Sequence, residues 1–278
     1  MRGQLGTSSV LVVLIAAAVA CAPDGAPTAP IAPPPPPTTT TGLKDIVVSS
    51  LPSPYYHFEY DTTGRPIFVS FASDFTRYDI SYIGSRISEM RNNILVNHDR
   101  LVYVYDDSGR VALVRETDDT GIVFTLLVFT YDGPKLIGVE RDRRVQGGFI
   151  IDKTVSLSYY PDGNLRELAE HRPAIVGFQD EQRYTDLYEQ YDMGINVDGF
   201  TLLHDDFGDH LVLLPDVQLQ KGNPHRVTRT GDGQNYVSEY TYTYDGNNRP
   251  LTRSGLVTYT NGTAVGQQFQ TSGGYTYY

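Results

Sequence analysis

Five side chains in the stretch 204–210, His204, Asp205, Asp206, Asp209 and His210, form the densest group of potential metal ligands in the sequence. Imidazole nitrogens with carboxylates suit zinc, and clustered carboxylates suit calcium. Their spacing follows no established site, and Asp-rich loops are usually solvated or capping, so no metal is assigned. Nucleophilic catalysis would call for a Gly-x-Ser-x-Gly elbow or a cysteine served by a histidine, and zinc proteolysis for His-Glu-x-x-His; none is present. Gly231-Asp232-Gly233 reads as a hairpin turn rather than a phosphate cradle. A total of 33 Asp and Glu supplies carboxylate pairs by chance, which does not by itself define a sugar hydrolase. His57, His98, His171 and His225 are scattered and read as surface or turn residues. The expectation is a non-enzymatic protein with no catalytic residue and no cofactor.

Cys21 is the only cysteine in 278 residues. It follows Arg2, the apolar run Val10–Ala20 and the small residues Ala18-Val19-Ala20. That run is shorter than the ~20 residues a permanent membrane helix needs, and has the length of a secretory signal core. The junction resembles the lipobox of bacterial lipoproteins, although Ala18 stands where leucine is commoner. The resemblance implies cleavage before Cys21 and lipidation of its thiol, with acyl chains contributing ~0.8 kcal/mol per buried CH₂ to membrane anchoring. Ala22 is not the aspartate associated with inner-membrane retention, so the outer membrane is expected, facing either the periplasm or the exterior. Residues 21–42, with Pro23, Pro27, Pro30, Pro33 to Pro37 and Thr38 to Thr41, read as an extended stalk. The expected organisation is a signal peptide over 1–20, a lipidated stalk over 21–42 and one folded domain over 43–278.

Removal of residues 1–20 takes away one arginine and no acid, leaving 21 basic against 33 acidic residues and a net charge of −12. Such a surface repels a phosphate backbone, which excludes nucleic acid as a partner. Tyrosine dominates the aromatics, with 21 Tyr and 11 Phe against no Trp. It recurs in alternating runs such as Val102-Tyr103-Val104-Tyr105 and Tyr240-Thr241-Tyr242-Thr243-Tyr244. A period of two with β-branched and aromatic residues predicts strands, and the domain is expected to be all-β.

One unit repeats: Tyr60-Asp61-Thr62-Thr63-Gly64-Arg65, Tyr105-Asp106-Asp107-Ser108-Gly109-Arg110 and Tyr244-Asp245-Gly246-Asn247-Asn248-Arg249. Looser copies begin at Tyr131, Tyr160 and Tyr191. Asp opens a turn by accepting backbone N–H groups, Gly or Asn takes the left-handed position, and Arg starts the outgoing strand, where it can stack on Tyr across the hairpin. These aspartates are therefore read as turn formers. The unit resembles the YD repeat of large bacterial surface and toxin-shell proteins. The mature chain is similar to an uncharacterised family of envelope lipoproteins with degenerate YD (Rhs-like) repeats. That resemblance implies a meander of hairpins and an envelope location, and transfers no activity. We expect about ten to fourteen antiparallel strands in an open curved sheet or loosely closed barrel. A small helical insert is expected near 197–214, where Phe200, Leu203, Phe207, Leu211 and Leu214 recur every three or four residues.

The leading functional expectation is a lipid-anchored β scaffold that presents a binding surface to a protein or glycan. The alternative is a carrier or chaperone-like lipoprotein for a hydrophobic ligand, with the sheet curved around a cavity. A third reading, a hydrolase, requires two carboxylates facing each other in a cleft.

Overall fold

The computed structural model describes residues 42–95, 98–197 and 212–278. Eight strands form the first half: β1 (Leu43–Val48), β2 (Tyr56–Tyr60), β3 (Pro66–Phe71), β4 (Thr76–Ile83), β5 (Arg86–Asn92), β6 (Arg100–Tyr105), β7 (Val111–Thr117) and β8 (Val123–Asp132). Eight more follow: β9 (Lys135–Val145), β10 (Gly148–Tyr159), β11 (Leu165–Arg172), β12 (Gln182–Tyr191), β13 (Pro224–Gly231), β14 (Tyr236–Tyr244), β15 (Pro250–Tyr259) and β16 (Gln268–Tyr277). Each pairs antiparallel with its neighbours in the chain, and β1 pairs with both β2 and β16, which closes the sheet into a barrel. Closure removes the two exposed edges that an open meander would leave.

The chain thus makes an all-β meander with more strands than the ten to fourteen expected. The repeated Tyr-Asp turns mark only alternate connections. The turns between them, such as Phe71–Thr76 and Val145–Gly148, carry no such signature, so reading by repeats undercounts the strands. Most of the segment expected to be helical, residues 198–211, lies outside the described residues, as does the 204–210 cluster. Residues 212–222 run without helix, and a single 3₁₀ turn (Gly262–Ala264) is the only helical piece among the described residues.

Alternation sorts the side chains onto two faces. Inward positions such as Val69, Met90, Val114, Leu136, Leu165 and Leu168 are fully enclosed in one apolar core. Outward positions run in polar rows around the wall. One joins Asp79, Arg91 and Arg100; another joins Glu140, Thr154, His171 and Arg183. Across β6–β8 the outer face becomes apolar, with Val102, Val104, Leu113, Leu126 and Val128 half-buried beside Arg115 and Glu140.

One departure from alternation is informative. The β9–β10 register slips between Ile151 and Lys153, so that the consecutive residues Asp152 and Lys153 are both buried. A β-bulge of this kind re-aims a side chain that regular pleating would send to the other face. It opens a band of internal charge along β9–β13.

Candidate functional site

Every turn from an even to the next odd strand lies at one end of the barrel, together with the repeated Tyr-Asp units; the odd-to-even turns lie at the other. At the first end, Asp61 Oδ1 accepts the backbone N–H of Thr63 (2.8 Å) and Arg65 (3.1 Å). Asp106 Oδ1 does the same for Ser108 and Arg110, and Asp245 Oδ1 for Asn247 and Arg249. Gly64, Gly109 and Asn248 hold the positive φ that each turn needs, at 84°, 84° and 65°. In all three units the arginine Nε returns 2.8 Å to the other carboxylate oxygen. Asp118, at the opposite end, builds the same turn without a preceding tyrosine.

What distinguishes the first end is its tyrosines. Tyr60 donates its hydroxyl to the carbonyl of Leu43, Tyr82 to Pro66, Tyr105 to Ile87 and Tyr131 to Val111. The series continues with Tyr159 to Leu136, Tyr191 to Leu165, Tyr242 to Pro224 and Tyr277 to Pro250. Every even strand is thereby latched to the start of the odd strand before it, around the whole circumference. Burial pushes the phenols of Tyr60, Tyr82, Tyr131 and Tyr159 up to about 12. At five of these connections the basic residue after the turn stacks on the tyrosine of the next hairpin, not on its own. Arg65 lies over Tyr82 (4.6 Å), Arg86 over Tyr105 (5.1 Å), Arg110 over Tyr131 (4.8 Å), Lys135 over Tyr159 (5.2 Å) and Arg249 over Tyr277 (4.1 Å). The stacking thus couples successive repeats.

Several positions depart from the sequence reading. In the copy beginning at Tyr160, the latching residue is Tyr159, and Tyr160 occupies the turn position that aspartate holds elsewhere. Tyr244 sends its hydroxyl to Asp192, leaving the latch to Tyr242, whose ring stacks on it. Tyr82 and Tyr277 latch without a following aspartate, so the motif does not reveal them. At Asp192 the turn is opened by a long insertion: Asp192 N–H bonds to Asn223 O as Asp61 N–H does to Arg65 O. The returning part of the insertion carries Val212 and Leu219 into the core, and Leu165 N–H donates to Leu219 O. A pocket of about 510 Å³ lies beneath it, bounded by Phe58, Tyr82, Ile87, Leu213, Leu214 and Val217.

The turn aspartates make stability depend on pH. The Thr63 hydroxyl and the Arg65 N–H hold Asp61 well below its ordinary 3.8, and the N–H groups of Arg110 and Arg249 lower Asp106 and Asp245. A lowered folded pKa gives stabilisation that is complete above 3.8 and lost as pH falls through the folded value. Thermal melts should therefore decline below about pH 4. A variant with Asp61, Asp106 and Asp245 all changed to Ala should melt lower at neutral pH and show a shallower acid limb.

The opposite end holds the charges. Arg141 Nε is 2.7 Å and Arg143 Nε 2.6 Å from the fully buried Asp152. Glu170 pairs with Arg172 and, at 3.9 Å, with Lys153. Asp186 receives both arms of Arg229, at 2.7 and 2.5 Å. Tyr184 and Tyr236 flank that guanidinium at 4.1 and 5.4 Å. Beyond Arg229 the inner wall of β12–β16 forms a second pocket of about 510 Å³, lined by Gln182, Ser238, Tyr240, Tyr259, Phe269 and Thr271 among others. The residues come from strands up to 89 positions apart, and no single motif announces them. The available signal is that Tyr236, Ser238, Tyr240, Tyr242 and Tyr244 all fall on one face of β14. Among the described residues no group of three or more metal ligands forms.

No protein-family model matches the sequence, and no curated protein is found as a relative. Among solved structures, the chain is similar to a porin-like protein from Bacteroides uniformis, with TM-score 0.57 and 14% identity over 80% of this chain and 89% of that one. A porin-like protein from Bacteroides vulgatus gives TM-score 0.56 and 15% identity over 86% and 99%. A chain of the Photorhabdus luminescens Tc holotoxin pore matches at TM-score 0.32 and 15% identity, over 77% of this chain but 12% of its own, and carries no argument. At these identities the likeness to the porin-like proteins is one of fold: this chain is a closed, antiparallel, sixteen-stranded barrel of their general shape.

Proposed function

We propose that this protein is a non-enzymatic lipoprotein of the bacterial envelope. In this reading, acyl groups on Cys21 hold it to the outer membrane, and the barrel is a water-facing scaffold presenting a binding surface to a protein or glycan. The polarity of the wall carries this reading. A membrane-spanning barrel has an apolar outside and a polar lumen. Here the lumen side is apolar except for the paired charges along β9–β13, and outside the β6–β8 patch the outer face carries charges such as Asp79, Arg91, Glu140, Arg183, Arg226 and Glu239. An outward arginine at the bilayer midplane would cost about 2–4 kcal/mol. β1, β2, β3 and β6 have only six, five, six and six residues, against the ~9–11 that cross a bilayer. The buried carboxylates Asp152, Glu170 and Asp186 are each held in ion pairs, which supports a structural role over a hydrolytic one. The excess of acidic residues disfavours nucleic acid.

Two measurements on the full chain test the proposal. Cys21→Ser should abolish fatty-acid labelling and release a folded protein from the membrane fraction, and the wild-type chain should give no conductance in a planar bilayer. Stepwise conductance, or a Cys21→Ser variant that survives carbonate extraction in the membrane, would defeat it. A second reading rests on the pocket beneath the 212–222 segment, whose lining of Phe58, Ile87, Leu213 and Leu214 suits an acyl chain. Native mass spectrometry that finds a co-purified lipid, lost in Leu214→Asp, would favour a carrier.

A further inference from the structure

We propose that the cleft inside β12–β16, at the end opposite the tyrosine latches, is a carbohydrate site that takes a neutral oligosaccharide. The inference rests on the tethered-scaffold reading and gives it a ligand class. The cleft combines aromatic surface with hydroxyl and amide groups. Tyr259 and Phe269 lie 5.6 Å apart with their planes inclined at 43°, and Tyr240 stands beside them on β14. Such rings match the apolar faces of a sugar, while its hydroxyls need donors and acceptors around the rim. The rim supplies them in the side chains of Gln182, Ser238, Tyr240, Tyr259 and Thr271. Ser238 is only 1% exposed, and it sits in the wall of the cleft.

The charges select for neutrality. Arg229 gives both arms to Asp186 and is held between Tyr184 and Tyr236, and Asp232 Oδ2 accepts the Arg183 N–H at 2.8 Å. An anionic group entering here would meet a guanidinium already neutralised and a carboxylate at the rim. A fatty chain would leave the hydroxyls of Ser238, Tyr259 and Thr271 covered and unpaired, a penalty for each buried group that a sugar avoids. The volume of about 510 Å³ falls in the range of small-molecule sites.

The test uses the full chain in a detergent without sugar headgroups. The probes are maltohexaose, cellohexaose, xylohexaose and chitohexaose, with a galacturonic acid oligomer as the acidic comparison. The chain has no tryptophan, so calorimetry can be paired with tyrosine emission as a direct report. At least one neutral probe should bind, and Tyr259→Ala and Phe269→Ala should each weaken it about tenfold. Tyr60→Phe, at the far end, should leave affinity unchanged. If an alanine variant melts far below wild type, Tyr259→Phe and Gln182→Ala replace it, with a smaller loss of affinity expected. No binding of any neutral probe, tighter binding of the acidic oligomer, or full affinity in the cleft variants would overturn the proposal. Because anchoring and conductance are read without sugar, failure here leaves the tethered scaffold standing, and a conducting barrel would sink the scaffold whatever the sugars do.

Discussion

Replacing Asp152 by alanine should destabilise the barrel by about 3–5 kcal/mol, which for a domain of this size lowers Tm by roughly 10 °C. The carboxylate has no solvent exposure, and two arginines point at it from β9. Arg141 is itself almost fully buried, at 5% side-chain exposure, so it cannot swing into water when its partner is removed. The loss would be an uncompensated internal cation, far costlier than a missing surface pair. Asp152→Asn should fall between wild type and alanine, because it keeps volume and one acceptor. Changing Asp152 and Arg141 together to Leu and Met should restore part of the loss, since the pair would be replaced by packing. Chemical denaturation of wild type, Asp152→Leu, Arg141→Met and the double variant measures this as a coupling energy. Equal stability of Asp152→Ala and wild type would mean that Arg141 and Arg143 find other acceptors, and that the bulge has no energetic purpose.

This ion band shows where sequence reading stops. Tyr60-Asp61, Tyr105-Asp106 and Tyr244-Asp245 announce their hairpins because a turn is local: the residues that satisfy one another lie within five positions. Strand alternation is local too, and an all-β meander follows from it. Closure is not local. Leu43 meets Tyr277 across nearly the whole domain, and nothing in either sequence neighbourhood specifies that pairing. Asp152-Lys153 would be read as one inward and one outward residue, and only a register slip makes both internal. Asp186 and Arg229 are 43 residues apart and meet because β12 and β13 flank the long insertion. The aromatic cleft is assembled in the same non-local way. Arginine stacking was foreseeable in kind, but its partner lies one hairpin further on, a consequence of sheet twist and stagger that a single repeat does not encode.

The latch ring should make the barrel fail at alkaline pH as a unit. Neutral phenols donate the bonds to the strand carbonyls, and phenolates cannot. Burial raises the folded values of Tyr60, Tyr82, Tyr131 and Tyr159 from 10.0 to about 12, and Tyr105 and Tyr191 are raised as well. A raised folded pKa means stabilisation that is complete below 10 and lost as pH climbs through about 12. Unfolding in that window should be steep, because each opened latch releases a proton and exposes its neighbour across the next hairpin. Phenolate absorbance should rise together with the loss of β-sheet circular dichroism, rather than ahead of it. Tyr105→Phe separates this from general alkaline denaturation: it should cost about 1 kcal/mol at neutral pH and also flatten the alkaline limb. A titration in which most tyrosines ionise near 10 while the sheet remains intact would show that the hydroxyls do not hold the strands, and that the rings act through packing alone.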